Sequence, residues 1–574
     1  MMKNVYMVQA STTYGGNVFK AAYLPYAAGL LVANAWTNGT VKKEYEFKRF
    51  IFTREPTDEC VASLETPAVM GFSNYIWNTQ YNLALAKKVK GKYPECIIIF
   101  GGHNVPPDDS FLKKYDFIDF LIHAEGEDAF AALLVELTHE KPDFSKINNL
   151  SFRAHGGCVT VPVSVLDRTD YPSPYLEGWF DSIFEEHPDM QLDAILETSR
   201  GCPRSCAYCD WGCNSAGVKL YPPDRIFSEI DWFASHKVAF IWGADANFGA
   251  YERDVDIARY LMETREKYGY PERFRTNYAK NNRERVLLIN SMLEKDGVTK
   301  EGATLSFQSL NPDTLKAIGR RNMSMEDFRA QMAHYRDAGV TTYSELILGL
   351  PGETKESFCE GICRLLENGQ HNSINVYHCE MLPNSDMSEL SFIKKHGIKT
   401  IKVPFNHIHS AIKRDEEVQE YSYLVRATAT LPEEDWVYAN LFSITVQCFH
   451  SLGFLRLFSI YLNYEKNVKY IDFFTGLLDF ILKSDGKLGQ LWRGFREKYE
   501  NSLSGDWNYH NEKFGNVTWF FEEGAFLELV CEPDVYIAEL LPYLKSFDIA
   551  EELFAQMLIY QQGMLRMPHS TEKE

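Results

Sequence analysis

The chain has 574 residues, which is too long for one hydrophobic core and predicts about three domains. Hydrophobic residues make up 45% of the sequence and charged residues 24%, as in ordinary soluble globular proteins. The net charge of -20 argues against a nucleic-acid backbone as the main partner, so we expect a small-molecule or peptide substrate and no nucleic acid.

Cysteine content and hydropathy predict the compartment. Twelve cysteines are too sparse for a disulfide scaffold, which indicates a reducing environment. The first residues lack the apolar core and small-residue cleavage site of a signal peptide. No apolar run is long enough to span a membrane, and even the most apolar tract, residues 441–462, is interrupted by polar side chains. We therefore expect a cytoplasmic protein without a membrane segment.

Residues 1–140 predict a parallel sheet. Short apolar runs predict strands, and apolar residues at helical spacing predict helices between them. The predicted strands are 5–9, 47–52, 68–72, 96–100 and 117–122, with helices at 25–35 and 82–89. Apolar strands that alternate with helices are typical of a doubly wound sheet buried on both faces, which binds ligands at the carboxyl ends of its strands.

Unusual residues follow these strands at those ends. They are Tyr14 and Gly15 after the first strand, Ser73, Asn74, Tyr75 and Trp77 after the third, Gly101, Gly102 and His103 after the fourth, and Glu125 and Gly126 after the last. His103, and His123 two residues before Glu125, fit equally well as ligand contacts and as hydrogen-bonded turn residues.

Three further regions follow in the chain. Residues 141–192 predict a connector, with a hairpin-like pair at 150–153 and 159–161 and a turn-rich stretch at 170–175. In residues 193–390 strands and helices alternate again. Residues 391–574 show helical periodicity and many aromatic side chains, which we interpret as core rather than binding surface. This last region is predicted to be a helix-rich domain that caps the central one and shapes substrate selection.

Three cysteines at spacings of four and three residues, Cys202, Cys206 and Cys209, are the strongest signal in the sequence. Zinc sites usually take four ligands from separated pairs, so this triplet is not an ordinary zinc site. Three thiolates in one loop instead suit three corners of a [4Fe–4S] cube and leave the fourth iron open. Gly201 and Pro203 would bend the backbone so that the sulfurs converge. The alternative is three structural thiols without a metal.

Polar residues also mark the ends of later strands in the central region. Asp245 and Asn247 follow its second strand, Ser306 and Gln308 share one face of its fourth strand, and Gly349 begins the turn after its fifth. The alternatives are a helix-capping acid for Asp245 and an ordinary strand-to-helix turn at Gly349.

The cysteine triplet, with Tyr208 directly before the third cysteine, resembles the signature of the radical S-adenosylmethionine (SAM) superfamily. Residues 1–140, with their Gly101-Gly102-His103 and Glu125-Gly126-Glu127 segments, resemble the cobalamin-binding domain that precedes this signature in one branch of that superfamily. The resemblance implies a partial (β/α)6 barrel for residues 193–390. The expected fold class is thus α/β, with a doubly wound cobalamin-binding domain, a radical SAM barrel and a helix-rich C-terminal domain.

The resemblance also implies cofactor contacts. The open iron would chelate SAM, whose protein contacts would be Tyr208, Asp245, Asn247, Ser306, Gln308 and Gly349. The unusual strand-end residues from Tyr14 to Gly126 would contact cobalamin, with Gly101 and Gly102 letting the backbone approach the macrocycle. The Asp-x-His-x-x-Gly loop that supplies a cobalt ligand in other domains is missing, so Tyr75 or Trp77 would cover the lower face of the cobalamin. The alternative is a degenerate domain that binds nothing.

The implied activity is methylation of an unactivated carbon through a 5′-deoxyadenosyl radical and methylcobalamin, with a flavodoxin- or ferredoxin-type electron donor. We assign no acid or base residue, because this chemistry requires none. One alternative is a cobalamin enzyme that oxidises, rearranges or cyclises its substrate without methyl transfer, and another is a sensor that uses the cluster without cleaving SAM. A methylthiotransferase is disfavoured, because only Cys60 and Cys96 precede residue 150 and a second triplet would be needed.

Overall fold

A computed structural model describes residues 2–12, 20–154, 156–211, 217–280, 283–295, 297–299, 302–405, 408–409, 418–501 and 507–565. By its internal contacts the chain divides into two compact units. Unit 1 comprises Met1–Lys300, Met381–Glu389 and Lys413–Ser422, and unit 2 comprises Glu301–Glu380, Leu390–Ile412 and Tyr423–Glu574.

The strands, in chain order, are β1 (Lys3–Ser11), β2 (Lys20–Tyr23), β3 (Tyr45–Thr53), β4 (Pro67–Ser73), β5 (Ile97–Gly101), β6 (Phe120–Ile122), β7 (Leu150–Ala154), β8 (Gly157–Thr160), β9 (Met190–Leu196), β10 (Ser199–Arg200), β11 (Lys219–Leu220), β12 (Phe240–Phe248), β13 (Arg273–Tyr278), β14 (Ala303–Gln308), β15 (Thr342–Leu348), β16 (Ser373–His378), β17 (Lys399–Pro404) and β18 (Tyr421–Ala427).

The α-helices are α1 (Tyr26–Ala35), α2 (Gly39–Glu44), α3 (Thr57–Ser63), α4 (Thr79–Lys92), α5 (Ser110–Lys114), α6 (Glu127–Glu136), α7 (Asp181–Glu186), α8 (Pro223–Ser235), α9 (Arg253–Tyr268), α10 (Arg283–Lys295), α11 (Pro312–Ala317), α12 (Met325–Asp337), α13 (Lys355–Glu367), α14 (Leu390–His396), α15 (Glu433–Val446), α16 (Arg456–Lys466), α17 (Tyr470–Lys483), α18 (Lys487–Glu500), α19 (Phe521–Cys531), α20 (Pro533–Lys545) and α21 (Glu551–Met564).

The first sheet of unit 1 has the strand order β3-β1-β4-β5-β6-β7-β8, and its strands β3, β1, β4, β5 and β6 pair in parallel. Successive residues of each strand point to opposite faces, so Val5 and Tyr6 of β1 enter two different apolar cores. Both faces are therefore buried, which confirms the doubly wound parallel sheet predicted from the continuous apolar runs.

The hairpin β7–β8, which we predicted inside a connector, extends this first sheet. β7 pairs antiparallel with β6, with Phe152 opposite Phe120. Both side chains are buried, so burial of apolar surface against the sheet accounts for the extension. Strand pairing therefore makes the hairpin part of the first sheet.

A second sheet of unit 1 has the order β13-β12-β9-β2, with all neighbours parallel. β2 comes from the N-terminal region and pairs with β9 through Ala22 and Leu192, which are both buried. The short antiparallel ribbon of β10 and β11 pairs Ser199 with Leu220. This ribbon closes the base of the loop that carries the three predicted cluster cysteines.

Unit 2 contains the parallel sheet β14-β15-β16 and the helices from α15 onward. Trp436 of α15 and Trp492 of α18 are fully buried, so these aromatic residues form core, as predicted. Helix α15 continues into a π-helical turn at Gln447–Ser451. In the described part of the chain no single helix is long and apolar enough to cross a membrane; Glu433–Ser451 and Arg456–Lys466 pass that test only as a pair bent by 91°.

Candidate cofactor site

A cavity of about 350 Å³ lies in unit 1 at the carboxyl ends of β1, β4, β5 and β6. Such a volume falls in the range of small-molecule sites, and its position is where open parallel sheets bind ligands. Seven of the residues predicted to contact cobalamin line it: Ser73, Tyr75, Gly101, Gly102, His103, Glu125 and Gly126. Tyr14 and Gly15 lie outside the described residues. The strand ends thus bring most of the predicted residues together.

The loop after β5 approaches the loop after β4 through a glycine. Gly102 has φ +104°, and a Cβ atom there would lie 2.8 Å from the Asn74 carbonyl oxygen. Only glycine fits both constraints. Asn74 itself is fully buried and does not line the cavity; its Nδ2 donates to the Asn104 carbonyl oxygen at 3.1 Å, and its own N–H donates to the Gly101 carbonyl oxygen at 2.7 Å. Asn74 therefore supports the loops around the cavity but does not contribute to the cavity surface.

Three rings are stacked beside the cavity. Tyr75 and Trp77 lie nearly parallel, with ring centroids 4.4 Å apart and an interplanar angle of 6°. The other neighbour of Tyr75 is His103, whose ring lies 5.8 Å away at 23°. Tyr75 and His103 line the cavity, whereas Trp77, which stacks on Tyr75, is not among the lining residues. Offset aromatic stacks of this kind form flat, rigid surfaces.

Ion pairs form part of the cavity lining at the loop after β6, where Glu125, Glu127, Glu197 and Arg200 reach the cavity. Glu125 accepts two hydrogen bonds from Lys219 at 2.7 and 2.8 Å, and Glu127 pairs with Arg200 at 2.8 Å. The same guanidinium makes two bonds of 2.8 and 2.9 Å to Glu197. Burial alone would raise the pKa of Glu197, but Arg200 brings it below its ordinary value. Burial raises the pKa of Glu125.

His123, the second histidine named in the sequence analysis, lines the cavity and is also part of a hydrogen-bond network with strands β7 and β8. Its Nε2 lies 2.7 Å from the Ser151 hydroxyl oxygen, which in turn lies 2.8 Å from that of Thr160. Burial lowers the pKa of His123. Its ring is therefore neutral at physiological pH and held by the β7–β8 hairpin.

The cluster loop reaches the same cavity, because Gly201, Asp210 and Trp211 also line it. Gly201 has φ +95°, which explains the predicted bend before the first cysteine. His103 Nδ1 lies 3.2 Å from a carboxylate oxygen of Asp210, and this contact joins the loop after β5 to the cluster loop. The cavity is thus lined by predicted cobalamin residues and by residues that flank the cysteine triplet, while Cys202, Cys206 and Cys209 themselves are not among its lining residues.

Two N–H groups donate to cysteine sulfurs. Asn247 Nδ2 lies 3.4 Å from Cys202 Sγ, and the Trp211 backbone N–H lies 3.5 Å from Cys209 Sγ. Burial raises the pKa of Cys209 to about 11, and its neighbours Cys202 and Cys206 act in the same direction. Iron binding would reverse this, because a coordinated thiol is deprotonated. Tyr208 lies half-buried between Cys206 and Cys209.

Three thiols in one loop are a donor set that suits an iron–sulfur cluster. Among the residues that the structure describes, no three His, Cys, Asp or Glu side chains are gathered tightly enough to bind one metal ion. Three soft thiolate donors with N–H bonds to two of them are also the environment that tunes such clusters.

Asp245 is held by the segment that precedes the cluster loop. Its carboxylate is fully buried and accepts hydrogen bonds from the N–H and hydroxyl groups of Thr198 and Ser199. Burial raises its pKa to about 7 despite these bonds. The side chain therefore fixes the start of the cluster segment, and its contact with the SAM ammonium stays a prediction.

The other predicted SAM contacts lie in unit 2. Ser306 donates its hydroxyl hydrogen to Glu345 on the neighbouring strand β15. Gln308 ends β14 with φ +65°, and its buried Oε1 accepts no hydrogen bond from the residues that the structure describes. Gly349 directly follows β15. These residues share one sheet, and their contact with SAM stays a prediction.

Sequence reasoning missed the ion pairs that hold the site. Arg200 precedes the cysteine triplet directly and Glu127 follows the predicted cobalamin residues, so adjacency was a usable signal for both. Glu420 pairs with Arg54 across 366 residues, and no local pattern points to it.

Comparisons with known proteins identify the family of the chain. The model of the radical SAM superfamily matches residues 196–365. The chain is 32% identical to the cobalamin-dependent radical SAM methyltransferase TokK of Streptomyces tokunonensis, over 96% of this chain and 84% of that protein. It is 34% identical to the 2-(S-pantetheinyl)-carbapenam-3-carboxylate methyltransferase of Streptantibioticus cattleyicolor, over 84% of this chain and 71% of that protein.

Solved structures share the fold. The cobalamin-dependent radical enzyme OxsB matches with a TM-score of 0.58 and 14% identity, over 98% of this chain and 84% of that chain. TsrM of Kitasatospora setae, with cobalamin and a [4Fe–4S] cluster bound, matches with a TM-score of 0.54 and 15% identity, over 88% and 99%. These matches confirm the recognition made from the cysteine triplet. The chain belongs to the family of cobalamin-dependent radical SAM methyltransferases.

Proposed function

We propose that this enzyme methylates an unactivated carbon of a small molecule, with cobalamin in the cavity of unit 1 and a [4Fe–4S] cluster on Cys202, Cys206 and Cys209. One observation carries the proposal: a single cavity is lined by the strand-end loops of the first sheet and by Gly201, Asp210 and Trp211 of the cluster loop. A radical generator and a methyl carrier must work on one substrate carbon, and a shared cavity meets that requirement.

The cavity residues divide the work of binding cobalamin. Gly102 lets the backbone approach the ring, and Tyr75, backed by Trp77, supplies a flat surface for its lower face. His103 is held in place by Asp210 and by the stack with Tyr75. These contacts are made within the protein, so the surface is ordered before the cofactor arrives, which lowers the entropic cost of binding.

The cluster loop orients the three thiolates. Asn247 and the Trp211 N–H donate to sulfur, which stabilises the more negative reduced cluster. When bound, the cluster and SAM supply hydrogen abstraction and the cobalamin supplies the methyl group. The pairs Arg200–Glu127 and Lys219–Glu125 hold the loop after β6 against β10 and β11, and so fix this part of the cavity lining.

The finer assignments follow the same proposal. Residues 1–140 form the cobalamin domain, 141–192 a connector whose hairpin β7–β8 extends the first sheet, 193–390 a radical SAM partial barrel and 391–574 a substrate-selecting domain. We infer a cytoplasmic enzyme that receives electrons from a flavodoxin- or ferredoxin-type protein. One relative is named for a pantetheinyl carbapenam carboxylate, so a substrate of that class is the first to test here.

The test is anaerobic reconstitution with iron, sulfide and cobalamin, followed by an assay with a pantetheinyl carbapenam carboxylate. We expect four irons and one cobalt per chain, and both 5′-deoxyadenosine and S-adenosylhomocysteine among the products. A variant with alanine at all three cysteines is the control and should form neither product. Deoxyadenosine without S-adenosylhomocysteine would instead indicate radical chemistry without methyl transfer, and failure to bind cobalt would contradict the cofactor assignment.

A further inference from the structure

A short segment, residues 418–422, packs within unit 1, most of which is formed by residues 1–300. Its central residue, Glu420, is 1% exposed, and its carboxylate forms an ion pair with Arg54, which follows β3. The Arg54 side chain is only 10% exposed. A buried ion pair is costly to desolvate, so it persists where further hydrogen bonds satisfy both partners.

Glu420 satisfies the start of α4. The N–H groups of Gln80 and Tyr81 in its first turn donate to the two carboxylate oxygens at 2.7 and 2.9 Å. Asn78 occupies the N-cap position but does not cap the helix with its side chain. The Glu420 carboxylate therefore serves as a remote cap and also matches the positive end of the helix dipole.

Asn78 is unavailable because it organises the loop between β4 and α4. Its Oδ1 accepts from the Tyr75 N–H at 2.8 Å, while its Nδ2 donates to the carbonyl oxygens of Ala10 and Ser73 at 3.1 and 3.0 Å. Asn78 thus satisfies the backbone of the loop, and Glu420 satisfies the N–H groups at the start of the helix.

Arg54 holds the loop just before α4. One of its NH2 groups donates to the Trp77 carbonyl oxygen at 2.9 Å, and the other donates to the Val418 carbonyl oxygen at 3.0 Å. The guanidinium also lies 5.5 Å from the centre of the Tyr81 ring. The backbone of Trp77 is therefore held between the guanidinium on one side and the capped helix on the other.

We propose that Arg54 and Glu420 are positioning residues for cobalamin: they fix the loop of residues 73–78 and thereby the Tyr75–Trp77 stack that covers the lower face of the cofactor. This inference rests on the proposed function, because the stack meets cobalamin only if the cavity holds it. Without the pair, the loop keeps its asparagine network but loses its anchor at Trp77, so water gains access to the lower face of cobalt.

The test uses the full-length protein with Glu420→Gln, which keeps the shape of the side chain but removes its charge and one acceptor. Glu55→Gln is the matched control: Glu55 pairs bidentately with Arg49 at 2.7 and 3.0 Å in the same region, but the two side chains make no bond to residues 73–78. Two measurements apply. Hydrogen exchange of the cofactor-free protein reports on the loop, and the electron paramagnetic resonance spectrum of bound cob(II)alamin reports on water at the lower face.

We expect Glu420→Gln to speed exchange of the Gln80 and Tyr81 amides about tenfold, in line with the loss of a helix cap. We also expect it to add a water-coordinated cob(II)alamin signal that the wild-type protein and Glu55→Gln lack. Unchanged exchange and spectrum in Glu420→Gln would overturn the inference, as would equal changes in both variants. A wild-type protein that retains no cobalamin would contradict the proposed function instead, and the exchange experiment would still test the anchor.

Discussion

The two loops that meet at the cavity are built in different ways. In the wall loop, residues 73–78, the buried side-chain amides of Asn74 and Asn78 donate to backbone carbonyl oxygens of the protein. These amides therefore need no cofactor as a hydrogen-bond partner. In the cluster loop, residues 201–211, the sulfur of Cys209 is held as a thiol, with a pKa raised to about 11 by burial. Iron binding would deprotonate this thiol, because the thiolate is the ligand. We therefore expect the wall loop to keep its structure without a cofactor and the cluster loop to gain stability when iron binds.

The largest effect is expected from Cys206→Ala, which removes one of the three cluster ligands. SAM cleavage should fall by more than about 10³-fold, because a cluster without a full set of ligands is not stably held. Cobalamin retention should stay near that of the wild type, since the wall loop does not depend on iron. Parallel assays of deoxyadenosine and of bound cobalt report on the cluster loop and the wall loop separately. Loss of both deoxyadenosine and bound cobalt would show that the wall loop depends on the cluster.

Arg200→Met tests the ion pairs that hold the two loops together. Removing the guanidinium leaves Glu127 and Glu197 buried without their partner, so we expect the free energy of unfolding to fall by about 3–5 kcal/mol. Arg259→Met is the matched control, because Arg259 pairs with Asp256 on the exposed surface of α9 and should cost less than about 1 kcal/mol. Urea unfolding of the cofactor-free proteins measures the difference, and equal costs would contradict a structural role for Arg200.

Gly102→Ala tests the wall loop through its contact with Asn74. The new Cβ would press on the Asn74 backbone at positive φ, which should cost about 1–3 kcal/mol and weaken cobalamin retention. Gly91→Ala, in α4 with open space around its Cβ, should be neutral or stabilising. Thermal unfolding and cobalt content report the two effects, while cluster content should remain unchanged.

The smallest effect is expected from Asn247→Ala, which removes one N–H donor from Cys202. The cluster should still form, but its reduction potential should fall by about 40 mV, the equivalent of a hydrogen bond worth about 1 kcal/mol. Redox titration of the reconstituted protein measures this shift. An unchanged potential would mean that the amide does not reach the sulfur when the cluster is bound.

The parallel sheet and its ligand edge were predictable, because apolar runs and the residues that follow them are local patterns. Gly101, Gly102 and His103 could therefore be assigned to a ligand-binding edge from the order of residues alone. The hydrogen-bond partners of Asp245 could not be predicted from its position alone, since they depend on how the segment of Thr198 and Ser199 folds over it. Glu420 was out of reach for the same reason: its partners are distant in sequence, and a lone glutamate in a polar stretch resembles any surface residue.

The central claim is that the cavity and the cluster loop form one site. Electron paramagnetic resonance of the anaerobic holoenzyme, with the cluster reduced and cobalamin as cob(II)alamin, tests it directly through the magnetic coupling of the two centres. The shared cavity predicts a coupled signal that disappears in Cys206→Ala. Two full-occupancy signals without coupling would place the cofactors apart and contradict the claim.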